Sequence, residues 1–187
     1  MGMKQTLETI NRMQADGVIG LYAIAGAVAT YNCVESSATE DLDVLFSFDA
    51  APGQPQSGLI TLSPIISYLK DKGYSEFRKE GLVIEDWPVQ FLPAADDLDA
   101  EALARAEEVE IEMPSEGSVT TRVLRPEHLV AIALRVGRPK DRIRIIQFLD
   151  EQAVDVQALC DVIGRHGLRD AWRTFCNRTG ISDPCEV

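Results

Sequence analysis

The sequence predicts an α+β fold, in which a mixed sheet flanked by helices is followed by a C-terminal helical bundle. Short apolar runs of strand length alternate with helical patterns over the first two thirds of the chain. From Pro126 onward every segment has a helical pattern. The length of 187 residues allows one domain or two small ones, and this change of pattern predicts a boundary between 1–125 and 126–187.

Composition limits the classes of function. The chain has 30 acidic and 18 basic residues and a net charge of −12, so broad electrostatic binding to nucleic acid is not expected, although a local basic patch could hold a phosphate. No apolar run reaches the ~20 residues of a membrane helix, and the N-terminus lacks a signal-peptide pattern. We therefore expect a cytoplasmic protein with no membrane association, whose oligomeric state stays open. Its four cysteines are expected to be reduced, namely Cys33, Cys160, Cys176 and Cys185.

The first predicted elements follow from periodicity and from glycine positions. Residues 4–16 have the pattern of an amphipathic helix, with Leu7, Ile10 and Met13 on its buried stripe. A short apolar strand then ends at Gly26 and passes into a helix. Next come the strand DLDVLFSF and a loop rich in proline and glycine.

The remaining elements are bounded by caps and turns. The helix SPIISYLKDKGY has Ser63 as its expected N-cap and Gly73 at its C-terminal end. Two strands, LVIE and PVQFLP, flank an expected turn at Asp86 and Trp87. After them we predict the helix DLDAEALARAEE, the strands EVEIEM and SVTTRVL, and the helices PEHLVAIALRVG, PKDRIRIIQFLDE, VDVQALCDVIGRHG and LRDAWRTFCNR.

Two acids inside an apolar strand, Asp41 and Asp43, raise the main functional question. Side chains alternate along a strand, so Leu42 and Val44 point to one face while Asp41 and Asp43 share the other. Two carboxylates that close repel each other, and a divalent cation relieves the repulsion. The alternative is a solvated pair of acids at the start of a strand.

Gly26 lies where the preceding strand passes into a helix. Because it has no Cβ, the backbone there could approach a ligand closely, and the N–H groups that follow could face a phosphate. The segment is not a GxGxxG fingerprint, so a Rossmann fold is not indicated. A tight turn that needs glycine only for packing is the alternative.

Residues 24–46, IAGAVATYNCVESSATEDLDVLF, resemble the nucleotidyltransferase superfamily, whose signature is a glycine turn followed by a strand with Asp-x-Asp. They look most similar to the AbiEii-like toxins and their uncharacterised bacterial relatives. The stretches VQFLPAADDLDAEAL and PEHLVAIALRVGRPKDRIRIIQFLD also resemble that group. The resemblance implies a nucleotidyltransferase-like sheet and Mg²⁺-dependent transfer of a nucleotidyl group from a nucleoside triphosphate to a hydroxyl acceptor on RNA or protein.

The resemblance also implies roles for residues of the first half. Asp41 and Asp43 would ligate Mg²⁺ or Mn²⁺, and Gly26, Ala27 and Thr39 would contact the nucleotide. The family usually has a second small polar residue or glycine after the first glycine. Ala27 stands there instead, which costs a hydroxyl but not a backbone N–H.

Four residues of the helical half complete the set that the resemblance implies. Lys140 would approach the triphosphate, Asp141 would orient it or take part in proton transfer, and Arg138 and Arg142 would bind the nucleotide. They lie in RVGRPKDRIR, whose five bases are Arg135, Arg138, Lys140, Arg142 and Arg144. A solvated helix face is the alternative for this segment, whose helix is expected to start at Pro139 and to bury Ile143, Ile146 and Leu149.

The third carboxylate of the family is missing from its expected strand. Gln90 occupies that position, and an amide brings no negative charge. Glu85 could substitute if the hairpin placed it beside Gln90. Otherwise the chain would be a catalytically weak or inactive relative with a binding or regulatory role, such as a toxin–antitoxin component.

Several other polar residues have simple structural interpretations. His128 is expected to be a surface or capping residue, and His166 to lie at a helix C-terminus. The acidic run DDLDAEALARAEEVEIE is typical of a solvated face. Trp87 and Trp172 are expected to pack in the core or at an interface.

Overall fold

The computed structural model describes residues 2–30, 41–48, 61–113 and 117–186. It confirms the α+β class, because a mixed seven-stranded sheet and eight helices form in these segments. Thr39, Cys33 and the proline- and glycine-rich loop lie outside the described residues.

The elements follow in chain order. The helices are α1 (Met3–Ala15), α2 (Gly26–Thr30), α3 (Ser63–Asp71), α4 (Asp97–Ala104), α5 (Pro126–Val136), α6 (Pro139–Asp150), α7 (Val156–Arg165) and α8 (Arg169–Thr179). The strands are β1 (Tyr22–Ala25), β2 (Leu42–Phe46), β3 (Phe77–Arg78), β4 (Gly81–Ile84), β5 (Trp87–Pro93), β6 (Glu107–Met113) and β7 (Gly117–Val123).

The sheet has the order β3-β4-β5-β2-β1-β7-β6. Strand β2 lies at its centre, antiparallel to β1 and parallel to β5. Both neighbours cover the edges of β2, and its apolar side chains are buried on both faces. A polar residue in β2 therefore lies in the middle of the molecule, where its partners must come from elements packed over the sheet.

Periodicity predicts most elements correctly. Helix α1 buries Leu7, Ile10 and Met13, as expected. The hairpin between β4 and β5 turns at Glu85 and Asp86, which both have positive φ, and this is one residue earlier than predicted.

Two details of the predicted helices are wrong. Ser63 is the first residue of α3 and not its N-cap, since Leu62 precedes the helix. In α6 the buried residues are Asp141, Ile145 and Phe148, and Ile143 is 69% exposed.

One hydrophobic cluster contains buried residues from both halves of the chain, including Phe46 of β2 and Phe148 of α6. Trp172 is also buried in it, as expected, and stacks on Phe175. The boundary near residue 125 stays a prediction. Among the described residues, no helix combines the length and the hydrophobicity that crossing a membrane requires.

The cysteine prediction is wrong for two residues. Cys160 of α7 and Cys185 form a disulfide, whose Cα atoms are 5.4 Å apart. The bond links residues 25 positions apart and fixes the C-terminal segment to α7. Cys176 is a buried free thiol. Spacing alone could not reveal the pair, because no CxxC or similar motif marks it.

Glu101 of α4 connects three helices. Its carboxylate accepts hydrogen bonds from His166 Nε2 at 2.8 Å, from an Arg165 guanidinium nitrogen at 2.6 Å and from His128 Nε2 at 3.3 Å. These donors, led by Arg165, lower the pKa of Glu101 to about 2. Glu101 therefore holds α4 against α5 and α7 through charge-assisted hydrogen bonds.

Two expectations about this region need correction. His128 is buried rather than on the surface, and burial lowers its pKa, so the neutral ring donates from Nε2 while Nδ1 has no hydrogen-bond partner among the described residues. The acidic run is not a simple solvated face either. Asp99 is buried and accepts a hydrogen bond from Arg135 at 2.8 Å.

We expect Glu101→Gln to lower the free energy of unfolding near neutral pH by about 2 kcal/mol, or ~4–8 °C in Tm. The folded pKa lies below the unfolded value of ~4.3, so this stabilisation is present above that value and is lost as the pH falls toward about 2. Thermal unfolding of both proteins from neutral to acidic pH would measure it. Glu8→Gln is the control, since Glu8 forms an exposed ion pair of 4.0 Å with Lys4. Equal losses in the two variants would contradict the role of Glu101.

Candidate functional site

The acid pair lies at the centre of the sheet. Asp41 directly precedes β2 and Asp43 is the second residue of the strand. Asp43 pairs with Ala25 of β1 on one side and with Gln90 of β5 on the other. Paired residues share a face of the sheet, so the Asp43 carboxylate and the Gln90 amide lie on the same face.

Gly26 follows Ala25 and contacts Asp43 directly. Its φ of +63° is one that residues with a Cβ rarely adopt. A Cβ added at Gly26 would lie 2.0 Å from Oδ2 of Asp43. The backbone at the start of α2 and the carboxylate of β2 therefore occupy adjacent positions that only glycine allows.

The position of Asp43 disfavours the charged form of its carboxyl group. Burial raises the pKa of the Asp43 carboxyl above its usual value, and the negative charge of Asp41 raises it further. Three bases of the helical half act in the opposite direction, namely Lys140, Arg144 and Arg138. The acid pair and these three bases are therefore close enough to interact electrostatically, as an anion site between them requires.

Arg138 is held at the start of α6 by Asp141. The Asp141 carboxylate is buried and accepts hydrogen bonds from the Arg138 backbone N–H at 3.1 Å and from its guanidinium at 2.8 Å and 3.2 Å. Pro139 is the first residue of the helix, as predicted. Because its oxygens are occupied by these bonds, Asp141 positions Arg138 and is poorly placed for proton transfer.

The five bases of the segment do not form one patch. Residues four apart share a helix face, so Lys140 and Arg144 lie together on the side of α6 that faces Asp43. Arg135 instead pairs with Asp96 and Asp99 of the α4 region. Arg142 lines a separate groove between α5, α6 and α8. Arg142 is therefore not brought to the acid pair.

Gln90 holds a carboxylate that sequence reasoning missed. Its amide donates to Glu80 at 3.0 Å, and a cavity of about 220 Å³ beside them is lined by Asp41, Arg78, Lys79, Glu80, Gly81, Pro88 and Gln90. Glu85, the expected substitute, lies at the opposite end of β4 and accepts a hydrogen bond from Tyr74 at 2.6 Å. The structure thus brings Glu80, and not Glu85, to Gln90.

The structure brings most of the predicted site residues together. Gly26, Asp41 and Asp43 lie with Gln90 and face Arg138 and Lys140. Ala27, the second residue of α2, follows Gly26 and is half-buried.

Arg144 and Glu80 were not among the predicted site residues. The i, i+4 spacing of Lys140 and Arg144 is a sequence signal that could have identified Arg144. Glu80 had no such signal. It lies in the turn between β3 and β4, and β3 has only two residues, which is too short for a sequence pattern to reveal.

The acid pair offers few donors for a metal ion. Among the described residues, no group of three or more His, Cys, Asp or Glu side chains is arranged to hold a metal ion. Mg²⁺ does not need such a cage, since one or two carboxylates with substrate phosphates and water complete its shell. Burial and the nearby charge of Asp41 raise the pKa of Asp43, and a bound cation would offset both effects, so the two carboxylates fit a cation held by Asp41 and Asp43.

Comparison with known proteins gives a distant structural likeness and no match by sequence. No family model matches the chain, and no curated protein matches it by sequence. Among solved structures, the chain is similar to ANT(2")-Ia, an aminoglycoside nucleotidyltransferase solved in complex with adenylyl-2"-tobramycin. The identity is 16%, the match covers 93% of this chain and 97% of that chain, and the TM-score is 0.42. A likeness at this level does not establish a shared family or activity.

We expect Gly26→Ala to lower the free energy of unfolding by about 2–4 kcal/mol, because it combines backbone strain with a clash against Asp43. Gly180→Ala is the matched control, since Gly180 has φ +70° and a Cβ there would meet nothing within 4 Å. That variant should lose only about 1 kcal/mol. Urea denaturation of both proteins measures the difference. The double variant Gly26→Ala, Asp43→Ala should recover part of the loss, because it removes Oδ2 and Cγ but keeps a Cβ at 3.0 Å. No recovery would contradict the contact.

We expect Asp43→Asn to raise Tm by about 2–4 °C near neutral pH, which corresponds to ~1 kcal/mol. In the folded protein the pKa of Asp43 lies above its unfolded value of ~3.9, so the folded state binds the proton more tightly. The folded state therefore loses stability as the pH rises through the folded pKa of Asp43. The gain should therefore vanish at acidic pH. Thermal unfolding with the exposed-site variant Asp71→Asn as control measures it, and a variant less stable than wild type at both pH values would oppose the interpretation.

Proposed function

We propose that the protein transfers a nucleotidyl group from a nucleoside triphosphate to a hydroxyl acceptor in a Mg²⁺-dependent reaction. The observation that carries the proposal is the half-buried pair Asp41 and Asp43 facing Arg138, Lys140 and Arg144. An arrangement of two acids opposite three bases suits a ligand that is itself a metal–polyphosphate complex. Membership of the AbiEii-like group, the identity of the acceptor and a cytoplasmic location stay predictions.

The acid pair would hold the cation. Mg²⁺ bound by Asp41 and Asp43 would neutralise charge on the phosphates and orient the acceptor oxygen for in-line attack. Gly26 would keep the backbone at the start of α2 close to these carboxylates, since a Cβ there would overlap the Asp43 carboxylate oxygen.

The bases would bind the phosphates. Lys140 and Arg144 lie on the exposed and half-exposed face of α6, where their side chains can reach a triphosphate. The Arg138 guanidinium donates to Asp141, and its side chain is 54% exposed. Its planar guanidinium can therefore bind phosphate oxygens while Asp141 fixes its direction.

We assign the proton-accepting role to Glu80. In the transfer, the acceptor oxygen forms a bond to the α-phosphorus, the bond to pyrophosphate breaks, and the hydroxyl proton must go to a base. Glu80 is an exposed carboxylate that lines the same cavity as Asp41, and the Gln90 amide orients it. Gln90 itself cannot act as a base.

A second candidate is a nucleotide-binding or regulatory protein with little or no transfer, such as a toxin–antitoxin component. The observation that favours it is Gln90, an amide paired in register with Asp43 where a third acid would be expected. The two candidates share the binding site and differ only in whether a base is available.

Calorimetric titration with each of the four nucleoside triphosphates, with and without Mg²⁺, tests binding. We expect binding that requires Mg²⁺ and is weakened at least about tenfold by Asp43→Asn or Lys140→Gln, which corresponds to ~1.4 kcal/mol. Arg12→Gln is the charge-matched control, because Arg12 is an exposed residue of α1. Absence of heat with every nucleotide in a folded sample would contradict both candidates.

Transfer is tested separately with α-labelled nucleotides and pools of cellular RNA, protein and small hydroxyl compounds. For the enzyme we expect labelled product that Glu80→Gln reduces by about 10²-fold or more while nucleotide affinity stays within a factor of two to three. Binding without labelled product in any pool would favour the second candidate. Full activity of Glu80→Gln would remove Glu80 from the mechanism.

A further inference from the structure

Helices α5, α6 and α8 enclose a groove on a different side of α6 from the acid pair. Its volume of about 320 Å³ lies in the range of small-molecule sites, roughly 300–1,000 Å³. Apolar side chains form most of its surface, namely Ala133, Leu134, Ile145, Ala171 and Phe175. Contact between such a concave apolar surface and water is unfavourable, and an apolar ligand that fills the groove would remove that contact.

Two guanidinium groups line the groove beside these apolar residues. Arg142 belongs to α6 and Arg178 to α8, and both are exposed. Unlike Arg135, Arg138 and Arg165, they form no ion pair with a carboxylate of the described residues. In a chain of net charge −12, two such arginines at one groove create a local positive field.

The other polar groups of the groove already have partners. Asp170 forms an ion pair of 3.3 Å with Arg173. The hydroxyl of Thr174 donates to the Asp170 carbonyl at 2.8 Å, and that of Thr179 to the Phe175 carbonyl at 2.9 Å. An apolar ligand would therefore leave no hydroxyl of the groove unpaired, and the specific polar contacts left to a ligand are those of the two arginines.

We propose that this groove binds a small amphipathic anion, with an apolar body between α5, α6 and α8 and a carboxylate at Arg142 and Arg178. Burial of the apolar body supplies the larger part of the binding free energy, and the charge-assisted hydrogen bonds fix its direction. The site does not depend on the proposed nucleotidyl transfer, since Arg142 lies away from the acid pair.

The test uses the intact protein and decanoate below its micellar concentration, with decanol and acetate as comparison ligands. We expect saturable binding of one decanoate per chain by titration calorimetry, decanol at least about tenfold weaker, and no binding of acetate. The double variant Arg142→Gln, Arg178→Gln should weaken decanoate about tenfold or more and leave decanol unchanged. Arg12→Gln, which removes an exposed arginine of α1, should leave both affinities unchanged.

A second variant tests the location. Ala171→Leu fills part of the groove, so it should weaken both decanoate and decanol while circular dichroism and Tm show a folded protein. Equal affinity for decanoate and decanol, or unchanged decanoate binding in the double arginine variant, would overturn the proposal. Concentration-dependent dimerisation that decanoate does not reverse but Ala171→Leu abolishes would assign the groove to a second copy of the chain and also overturn it.

Discussion

The charge of Asp43 is the constraint on which the rest of the candidate site depends. A carboxylate on the central strand, against the backbone of Gly26, is partly removed from water and lies near a second acid. Such a group is tolerated only where opposite charge comes close. The bases that supply it are Lys140 and Arg144 of α6 and Arg138 at its N-cap, so the charge of Asp43 depends on where α6 packs. A cation with phosphates would satisfy the acids and the bases together.

Helix α6 meets three different requirements with one sequence. Its buried residues, Asp141, Ile145 and Phe148, repeat at i, i+4 and i+7 and fix the helix against the core. Lys140 and Arg144 then face the acid pair, because 3.6 residues per turn place them on another side. Arg142, together with Ile145 of the buried stripe, lines the groove between α5, α6 and α8. Burying Asp141, a charged residue, is possible because Arg138 satisfies it at the helix start.

The sequence allowed the local structure to be predicted well and the long-range partners poorly. The stripe of α1, the alternation in β2 and the proline start of α6 follow from periodicity and capping, which depend on near neighbours. Arg135 shows the limit. The sequence counts it as one of five clustered bases, but in the structure it pairs with two acids nearly forty positions earlier, Asp96 and Asp99. The Cys160–Cys185 disulfide and the contacts of Glu101 were not predicted for the same reason. They join elements whose packing no local pattern specifies.

Gln90 is better understood as part of the charge balance than as a lost acid. A third carboxylate at position 90 would face Asp43 directly across β2 and β5. It would add repulsion where burial and Asp41 already raise the pKa of Asp43. The amide avoids that cost, and its N–H instead holds Glu80, which stands on an exposed turn where water stabilises its charge. In the proposed mechanism the acid beside the pair is therefore Glu80, at the rim of the cavity that Asp41 also lines, and not a residue of the buried strand. In that position the Glu80 carboxylate lies beside the acid pair, which would itself be committed to a cation.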